Sequence, residues 1–151
     1  MGLDSHKELL IPVAEEVNLE GLEEVLLPMI TLWAPRVTLF HVIRVPETLP
    51  VEADEFKQEA DRARSKLRVV YNWFRKQGCA VRLEIVAARN VAEGIVQEAN
   101  TGRYLAVVLM KRVGKRGILN RLFRRSVSEA VVRKVTCPVI IIPLRERPKK
   151  A

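Results

Sequence analysis

The residues best suited to chemistry in this 151-residue chain form one basic segment in its last third. Between Lys111 and Arg125 there are seven lysines and arginines and no acidic residue. Gly114 and Gly117 allow a bound group to approach the backbone closely, and Ser126 stands at a capping-box spacing from Glu129 that is typical of a helix start. Backbone N–H groups, helix N-termini and basic side chains are the groups that bind phosphate. The segment therefore indicates an anion site, and a solvated basic surface is the alternative interpretation.

The other reactive side chains form no recognisable catalytic or metal-binding pattern. Cys79 and Cys137 lie 58 positions apart without a CxxC spacing, which excludes a disulfide scaffold and a zinc ribbon. His41 lies in an apolar run and is interpreted as a core histidine. Glu15 and Glu16 are adjacent, but the sequence offers no partner base or metal ligand for them. Because GxxxxGK[ST] and GxGxxG are also missing from the sequence, we predict no catalytic residues and no bound metal.

Charge is distributed unevenly along the chain. Residues 1–60 carry 4 basic and 12 acidic side chains, and residues 61–151 carry 22 and 6, so −8 and +16 give the net charge of +8. This polarity indicates an electropositive face that attracts phosphates, nucleic acid or an anionic surface, with a salt-bridged solvated surface as the alternative. Phe123 is the one aromatic residue in the basic segment, so specific recognition of a single-stranded nucleic acid is not predicted.

Apolar runs and helical patterns alternate along the chain. The predicted strands are Glu8–Ala14, Val37–Ile43, Val81–Ile85, Leu105–Met110 and Cys137–Pro143. The predicted helices are Leu19–Trp33, Phe56–Phe74, Asn90–Asn100 and Ser126–Val135. Pro28 predicts a bend in the first helix or a break near Leu27. Lys111–Asn120 is predicted to be a loop. Residues 1–144 are expected to form one domain and residues 145–151 a basic tail.

This alternation predicts an α/β fold, a doubly wound parallel sheet of five strands with helices on both faces. Ligands of such folds bind beyond the carboxyl ends of the strands, at the switch point. The candidate binding segments are therefore the residues that follow the first, second and fourth strands: 14–17, 42–45 and 110–117.

The segment from Met110 to Pro143 resembles the nucleotide-binding end of the universal stress protein family. SVSEAVVRKVTCPVIII matches the family's last helix and strand, LLIPVA matches its first strand, and LFHVI matches its second. The resemblance covers the whole chain. It implies a Rossmann-like fold of the adenine nucleotide alpha hydrolase type, with strand order 3-2-1-4-5. Family members also carry a proline near the end of the central first strand, which accounts for Pro12.

Many family members bind ATP through a Gly-x2-Gly-x9-Gly-(Ser/Thr) pattern, from which this chain departs. Lys111 replaces the first glycine, Gly114 fits the second, and Arg125 replaces the third after ten residues instead of nine, while Ser126 is retained. Ala14 replaces the aspartate that often contacts the nucleotide. Side chains at the glycine positions crowd a backbone cradle, whereas cationic replacements allow phosphate contact through charge.

The resemblance therefore implies a non-enzymatic regulatory or stress-response module that has lost the usual ATP-binding geometry and needs no cofactor. The alternative is a nucleotide- or phosphate-binding protein with a basic loop, which takes ATP or another adenine nucleotide and has slow ATPase activity at most. The positions implied for nucleotide binding are Pro12, Val13, Ala14, Val42, Met110, Lys111, Gly114, Gly117, Arg125, Ser126, Val127 and Ser128.

The sequence also predicts partners and location. In strand order 3-2-1-4-5, the apolar run Val139–Ile142 lies at a sheet edge, which favours a homodimer through the last strand. The first loop, Pro12–Asn18, resembles that of stress-protein domains appended to amino-acid permeases, and this favours a transporter membrane domain as partner. No apolar run reaches the roughly 20 residues of a membrane helix, and no leader is recognised. A cytosolic location with reduced thiols is therefore expected, either alone or as the cytosolic domain of a membrane protein.

Overall fold

A computed structural model of the chain describes residues 8–14, 19–33, 36–50, 54–113 and 125–145. The strands are β1 (Glu8–Pro12), β2 (Arg36–Arg44), β3 (Val81–Ala88), β4 (Tyr104–Val113) and β5 (Val139–Arg145). The helices are α1 (Leu19–Trp33), α2 (Asp54–Lys76), α3 (Val91–Ala99) and α4 (Arg125–Lys134). Strands and helices alternate along the chain, as the apolar patterns predict.

The five strands form one parallel sheet in the order β3-β2-β1-β4-β5. The predicted fold class and strand order are confirmed. Leu9 and Leu10 of β1 are fully buried, as expected for a central strand that is covered on both faces. Pro12 is the last residue of β1, and the next N–H, that of Val13, donates to Phe40 O at 2.9 Å. The proline therefore takes the terminal place where a missing N–H is tolerated.

Two helical layers cover the sheet. Apolar residues of α1 and α2 share one core with residues such as Leu9 and Leu39, and those of α3 and α4 share another with Leu10 and Phe40. The longest helix, α2, buries one face along its length: Phe56, Ala63, Leu67, Val70, Trp73 and Phe74. It ends before Gly78, whose φ of +85° lies in the left-handed region that favours glycine.

The structure corrects three predictions about local boundaries. β4 continues through Lys111 to Val113 because it pairs with β5, with Lys111 opposite Pro143, so the predicted loop begins later than Lys111. α4 begins at Arg125; Ser126 is therefore its second residue and does not precede the helix as a capping box requires. β5 runs from Val139 to Arg145, two residues later at each end than the predicted strand Cys137–Pro143.

The break predicted in α1 does not occur. The helix runs from Leu19 to Trp33 with Pro28 inside it. Pro28 is exposed, whereas Leu26 and Ile30 on either side are buried in the core. Because proline removes one backbone hydrogen bond, burial of these neighbours is what keeps the helix continuous.

Candidate functional site

β1 is shorter than its two neighbours, and this creates a notch at the carboxyl edge of the sheet. β1 ends at Pro12, opposite Phe40 of β2, but β2 continues to Arg44 beside β3. On the other side, β1 pairs with β4 as far as Leu10 and Val107, and β4 continues to Val113 beside β5. This is the switch point of a doubly wound sheet, where ligands of such folds bind. The notch between the ends of β2 and β4 is therefore the candidate site.

The chain that leaves β1 is held by β2. Nδ1 of His41 lies 2.8 Å from Val13 O. Because a carbonyl oxygen only accepts hydrogen bonds, Nδ1 carries a hydrogen and donates it to Val13 O. His41 is half-buried and positions the end of β1.

Ala14 follows Val13 at the candidate site. Its side chain is half-buried and packs against the core between the sheet and the α1–α2 layer. This is the position at which the family resemblance expects an aspartate. The described part of the first loop therefore brings an apolar methyl group to the notch in place of a carboxylate. Glu15 and Glu16, adjacent in sequence, lie outside the described residues.

Val42 lies near the end of β2 and is covered by α3. It packs with the core between the sheet and the α3–α4 layer. A Cβ added at Gly94 of α3 would lie 3.1 Å from Val42 Cγ2, so the glycine allows the helix to approach the strand closely. The sequence analysis did not identify Gly94. A glycine inside a helix is unfavourable by roughly 1 kcal/mol relative to alanine. This cost is the sequence signal from which a packing role could have been predicted.

The fourth strand and the helix after it supply the other predicted positions. Met110 is 2% exposed and belongs to the core beneath α1 and α2, so its side chain is not free at the surface. Val127 and Ser128 of α4 are half-buried, and Val127 packs against the α3–α4 core.

Some of the predicted site residues lie outside the part of the chain that the structure describes. Gly114 and Gly117 fall outside the described residues, as do the side chains of Lys111, Arg125 and Ser126. The structure thus brings five of the predicted positions to the carboxyl ends of β1, β2 and β4: Pro12, Val13, Ala14, Val42 and Met110. The backbone of Lys111 continues β4, and that of Arg125 and Ser126 begins α4.

Arg89 holds the loop that follows β2. It stands directly after β3, and its Nη1 donates to Leu49 O at 2.8 Å and also to Pro46 O. The N–H of Val45 donates to Ala88 O at 2.8 Å. The loop of residues 45–50 is therefore fixed to the end of β3 at the carboxyl edge. Sequence reasoning missed this role because the contact joins segments 40 and 43 residues apart.

A network of polar side chains occupies the opposite, amino edge of the sheet. Thr38 is fully buried, and its Oγ1 donates to Glu8 Oε1 at 2.5 Å. Arg82 Nη2 donates to Thr38 Oγ1 at 3.3 Å and to Tyr104 Oη at 3.4 Å. The same nitrogen lies 3.4 Å from Glu8 Oε1 and 3.7 Å from Glu84 Oε2. Four strands are joined through these contacts.

Glu98 of α3 closes this network. Its Oε2 accepts from Tyr104 Oη at 2.5 Å and from Arg103 Nη2 at 2.6 Å. Burial, together with the hydrogen bond to Glu98, raises the pKa of Tyr104 to about 12. The polar groups at this edge satisfy one another, which is the arrangement of a structural network.

Both cysteines are free thiols. Cys79 is buried and Cys137 half-buried, and burial raises the pKa of each thiol. The thiols are therefore protonated at neutral pH and poorly nucleophilic. This agrees with their interpretation as packing residues. Across the described ranges, no helix is both long and apolar enough to cross a membrane.

The model of the universal stress protein family matches residues 10–143 of this chain. A search of the curated proteins finds no match. Three solved structures show the same fold. The universal stress protein UspA from Lactobacillus plantarum is 17% identical, with a TM-score of 0.68 over 91% of this chain and 97% of that one.

The other two structures contain nucleotides. A universal stress protein family protein from Arabidopsis thaliana with AMP bound is 18% identical, with a TM-score of 0.62 over 96% of each chain. The universal stress protein from Archaeoglobus fulgidus in complex with dAMP is also 18% identical, with a TM-score of 0.57 over 91% of this chain and 98% of that one.

Proposed function

Because the chain belongs to the universal stress protein family, we propose that it is a non-enzymatic regulatory module whose carboxyl-edge site binds ATP weakly or not at all. The observation that carries this proposal is Ala14, whose methyl group packs on the core where the family resemblance expects a carboxylate. The resemblance of the first loop to permease-appended domains makes a transporter a candidate partner for such a module.

The replaced glycines support the same proposal. Lys111 and Arg125 stand where the family pattern has glycine, and one extra residue separates Gly114 from Arg125. A cradle of backbone N–H groups requires residues without a Cβ at the points of closest approach to phosphate. The chain therefore lacks both the carboxylate and two of the glycines that form the usual site.

A specific observation favours a second candidate function, a basic adenine-nucleotide or phosphate site with slow ATPase activity at most. The notch between β2 and β4 is present in this chain, and two proteins of the same fold are solved with AMP or dAMP. Lys111 and Arg125 are both cationic, and charge-assisted contacts to phosphate are stronger than neutral ones. In this case the replaced glycines alter the mode of phosphate binding without abolishing it.

Calorimetric titration of the full chain with Mg-ATP and with AMP separates the two candidates. We expect no measurable heat of ATP binding at physiological salt, and no nucleotide retained by the purified protein in native mass spectrometry. Micromolar affinity for Mg-ATP contradicts the first candidate, and micromolar affinity for either nucleotide supports the second. Loss of that affinity in Lys111→Gln/Arg125→Gln then assigns it to the two cationic side chains.

A gain-of-function variant tests the role of Ala14 directly. Ala14→Asp/Lys111→Gly/Arg125→Gly restores the residue types of the family pattern, and we expect it to bind Mg-ATP more tightly than the unmodified chain. The matched control is Ala14→Asn/Lys111→Gly/Arg125→Gly, which has the same glycines but no carboxylate. Equal affinity of the two variants would show that position 14 does not determine nucleotide binding.

We also propose that the protein is a homodimer joined through β5. β5 is an edge strand, and Ile141 in its middle is 48% exposed. Edge strands present unpaired backbone groups, and pairing across a two-fold axis satisfies them. We expect Ile141→Lys to sediment as a folded monomer, while Val69→Lys, an equally drastic change on α2, remains a dimer. An unmodified protein that sediments as a monomer at tens of micromolar contradicts the proposal.

A further inference from the structure

Acidic residues and most basic residues occupy different parts of the helix α2. Its acidic residues all lie between Asp54 and Asp61, and none occurs from Arg62 to Lys76. Within that second part, six basic side chains are exposed to solvent. We call them the basic face of α2: Arg62, Arg64, Lys66, Arg68, Arg75 and Lys76.

Ordinary structural roles explain part of the basic face. Arg75 and Lys76 lie in the last turn, where cations stabilise the helix dipole. Arg64 forms an exposed ion pair with Asp61 at 3.3 Å. In the described part of the chain, Arg62 and Arg68 contact no carboxylate within ion-pair distance. Helix capping and pairing within the described part of the chain therefore leave Arg62 and Arg68 unexplained.

The spacing along α2 places like charges beside each other. Arg62 and Lys66, and likewise Arg64 and Arg68, stand four residues apart. On a helix such residues are neighbours, and like charges at this spacing destabilise it. An external polyanion that neutralises these charges relieves the repulsion between them.

The other exposed side chains indicate the kind of polyanion. Val69, 62% exposed, is the one large apolar residue on the exposed side of α2, because Trp73 and Phe74 are buried. A membrane-surface helix needs an apolar face to insert, and a single-strand site needs exposed aromatic residues for base stacking. Four of the six basic residues are arginines, which suit bidentate contact with phosphate. The surface fits the backbone of a nucleic-acid duplex.

The length of the basic face agrees with the phosphate spacing of a nucleic-acid duplex. At about 1.5 Å per residue, the helix from Arg62 to Lys76 is about 21 Å long. A single DNA strand places a phosphate about every 3.4 Å along the duplex axis, so this length spans about six phosphates. We propose that the basic face of α2 binds the phosphate backbone of double-stranded nucleic acid without sequence specificity. The binding does not depend on whether a nucleotide occupies the carboxyl-edge site.

Fluorescence anisotropy of a labelled 24-base-pair DNA duplex, titrated with the full chain at increasing NaCl, tests the proposal. For four to six phosphate contacts we expect log K to fall against log salt with a slope of about −4 to −5. Arg62→Gln/Arg68→Gln/Arg75→Gln keeps good helix formers at exposed positions. We expect this variant to bind at least about tenfold more weakly, with a slope about 2.7 units shallower.

The matched control removes three positive charges elsewhere: Lys57→Gln/Arg133→Gln/Lys134→Gln. Circular dichroism confirms that both variants are folded. If the two variants lose affinity equally, binding follows net charge and the basic face of α2 is not the site. Absence of duplex binding at 50 mM NaCl overturns the proposal, as does tighter binding to the single strand or to phosphatidylserine vesicles. A lower sedimentation coefficient of the α2 variant without DNA indicates self-association through α2 instead, and also overturns it.

Discussion

The two edges of the sheet are stabilised by different kinds of contact. At the amino edge, side chains bond to side chains, as when buried Thr38 donates to Glu8 and Tyr104 donates to Glu98. At the carboxyl edge, side chains bond to the backbone of loops. His41 contacts Val13 O, and Arg89 donates to carbonyl groups of the loop after β2.

This difference follows from the topology of a parallel sheet. All strands begin at the same edge, so polar residues at their first positions become neighbours when the strands pair. Glu8 is opposite Tyr104, and Thr38 is opposite Arg82. Residues at the carboxyl edge stand in loops of different length, which adapt to ligands. The amino edge therefore contributes stability, whereas the carboxyl edge carries the loops of the proposed site.

The largest effect is expected at Glu98, which accepts hydrogen bonds from both Tyr104 and Arg103. Glu98→Ala leaves the buried Tyr104 hydroxyl without its acceptor and should lower the free energy of unfolding by about 2–3 kcal/mol, measured by urea denaturation. Gln97→Ala, at an exposed position of the same helix, is the control and should change it by less than about 0.5 kcal/mol. Equal effects of the two substitutions would show that the network does not contribute stability.

The pH dependence of the free energy of unfolding tests the contribution of Tyr104, whose pKa is raised to about 12. An unfolded tyrosine titrates near about 10, so the folded protein retains the proton at a pH where the unfolded chain loses it. The resulting stability is fully present below pH 10 and decreases by about 1 kcal/mol per pH unit between 10 and 12. Urea unfolding of the unmodified chain should show this loss, and Tyr104→Phe should lack it. Parallel pH profiles of the two proteins would contradict the assignment.

The sequence predicted the fold well because the fold depends on local apolar patterns. Alternating strands and helices determine the class, and Leu9, Leu39 and Val108 are buried as their apolar runs indicate. The errors fall where pairing overrides composition. Lys111 was expected in a loop, but pairing with β5 extends the strand through it. A break near Leu27 was one expectation for α1, but the helix is continuous from Leu19 to Trp33, and Leu26 and Ile30 are buried in the core.

The binding site itself stays a prediction. The switch-point rule selects residues 14–17, 42–45 and 110–117, and of these Ala14 lies after β1 and Val42 lies near the end of β2. The hydrogen bonds of Arg89 join segments far apart in sequence, and no local pattern signals them. The amino-edge network was missed for the same reason, because its members become neighbours through strand register alone.

The smallest effect on stability is expected at Arg89, on the carboxyl edge. Arg89 is exposed, and its hydrogen bonds to Pro46 O and Leu49 O connect two surface loops. Exposed hydrogen bonds replace bonds to water, so Arg89→Ala should change the free energy of unfolding by less than about 0.5 kcal/mol. The local effect should be larger, because the loop of residues 45–50 loses the two side-chain hydrogen bonds of Arg89 and keeps the backbone bond from Val45 to Ala88 O. Amide hydrogen exchange at Leu49, whose N–H donates to Pro46 O, should become several times faster, while exchange at Leu10 in the core stays unchanged. Arg44→Ala, an exposed arginine at the end of β2, is the control and should leave exchange at Leu49 unaltered. If Arg89→Ala destabilises the protein as much as Glu98→Ala, the two edges of the sheet do not differ in their contribution to stability.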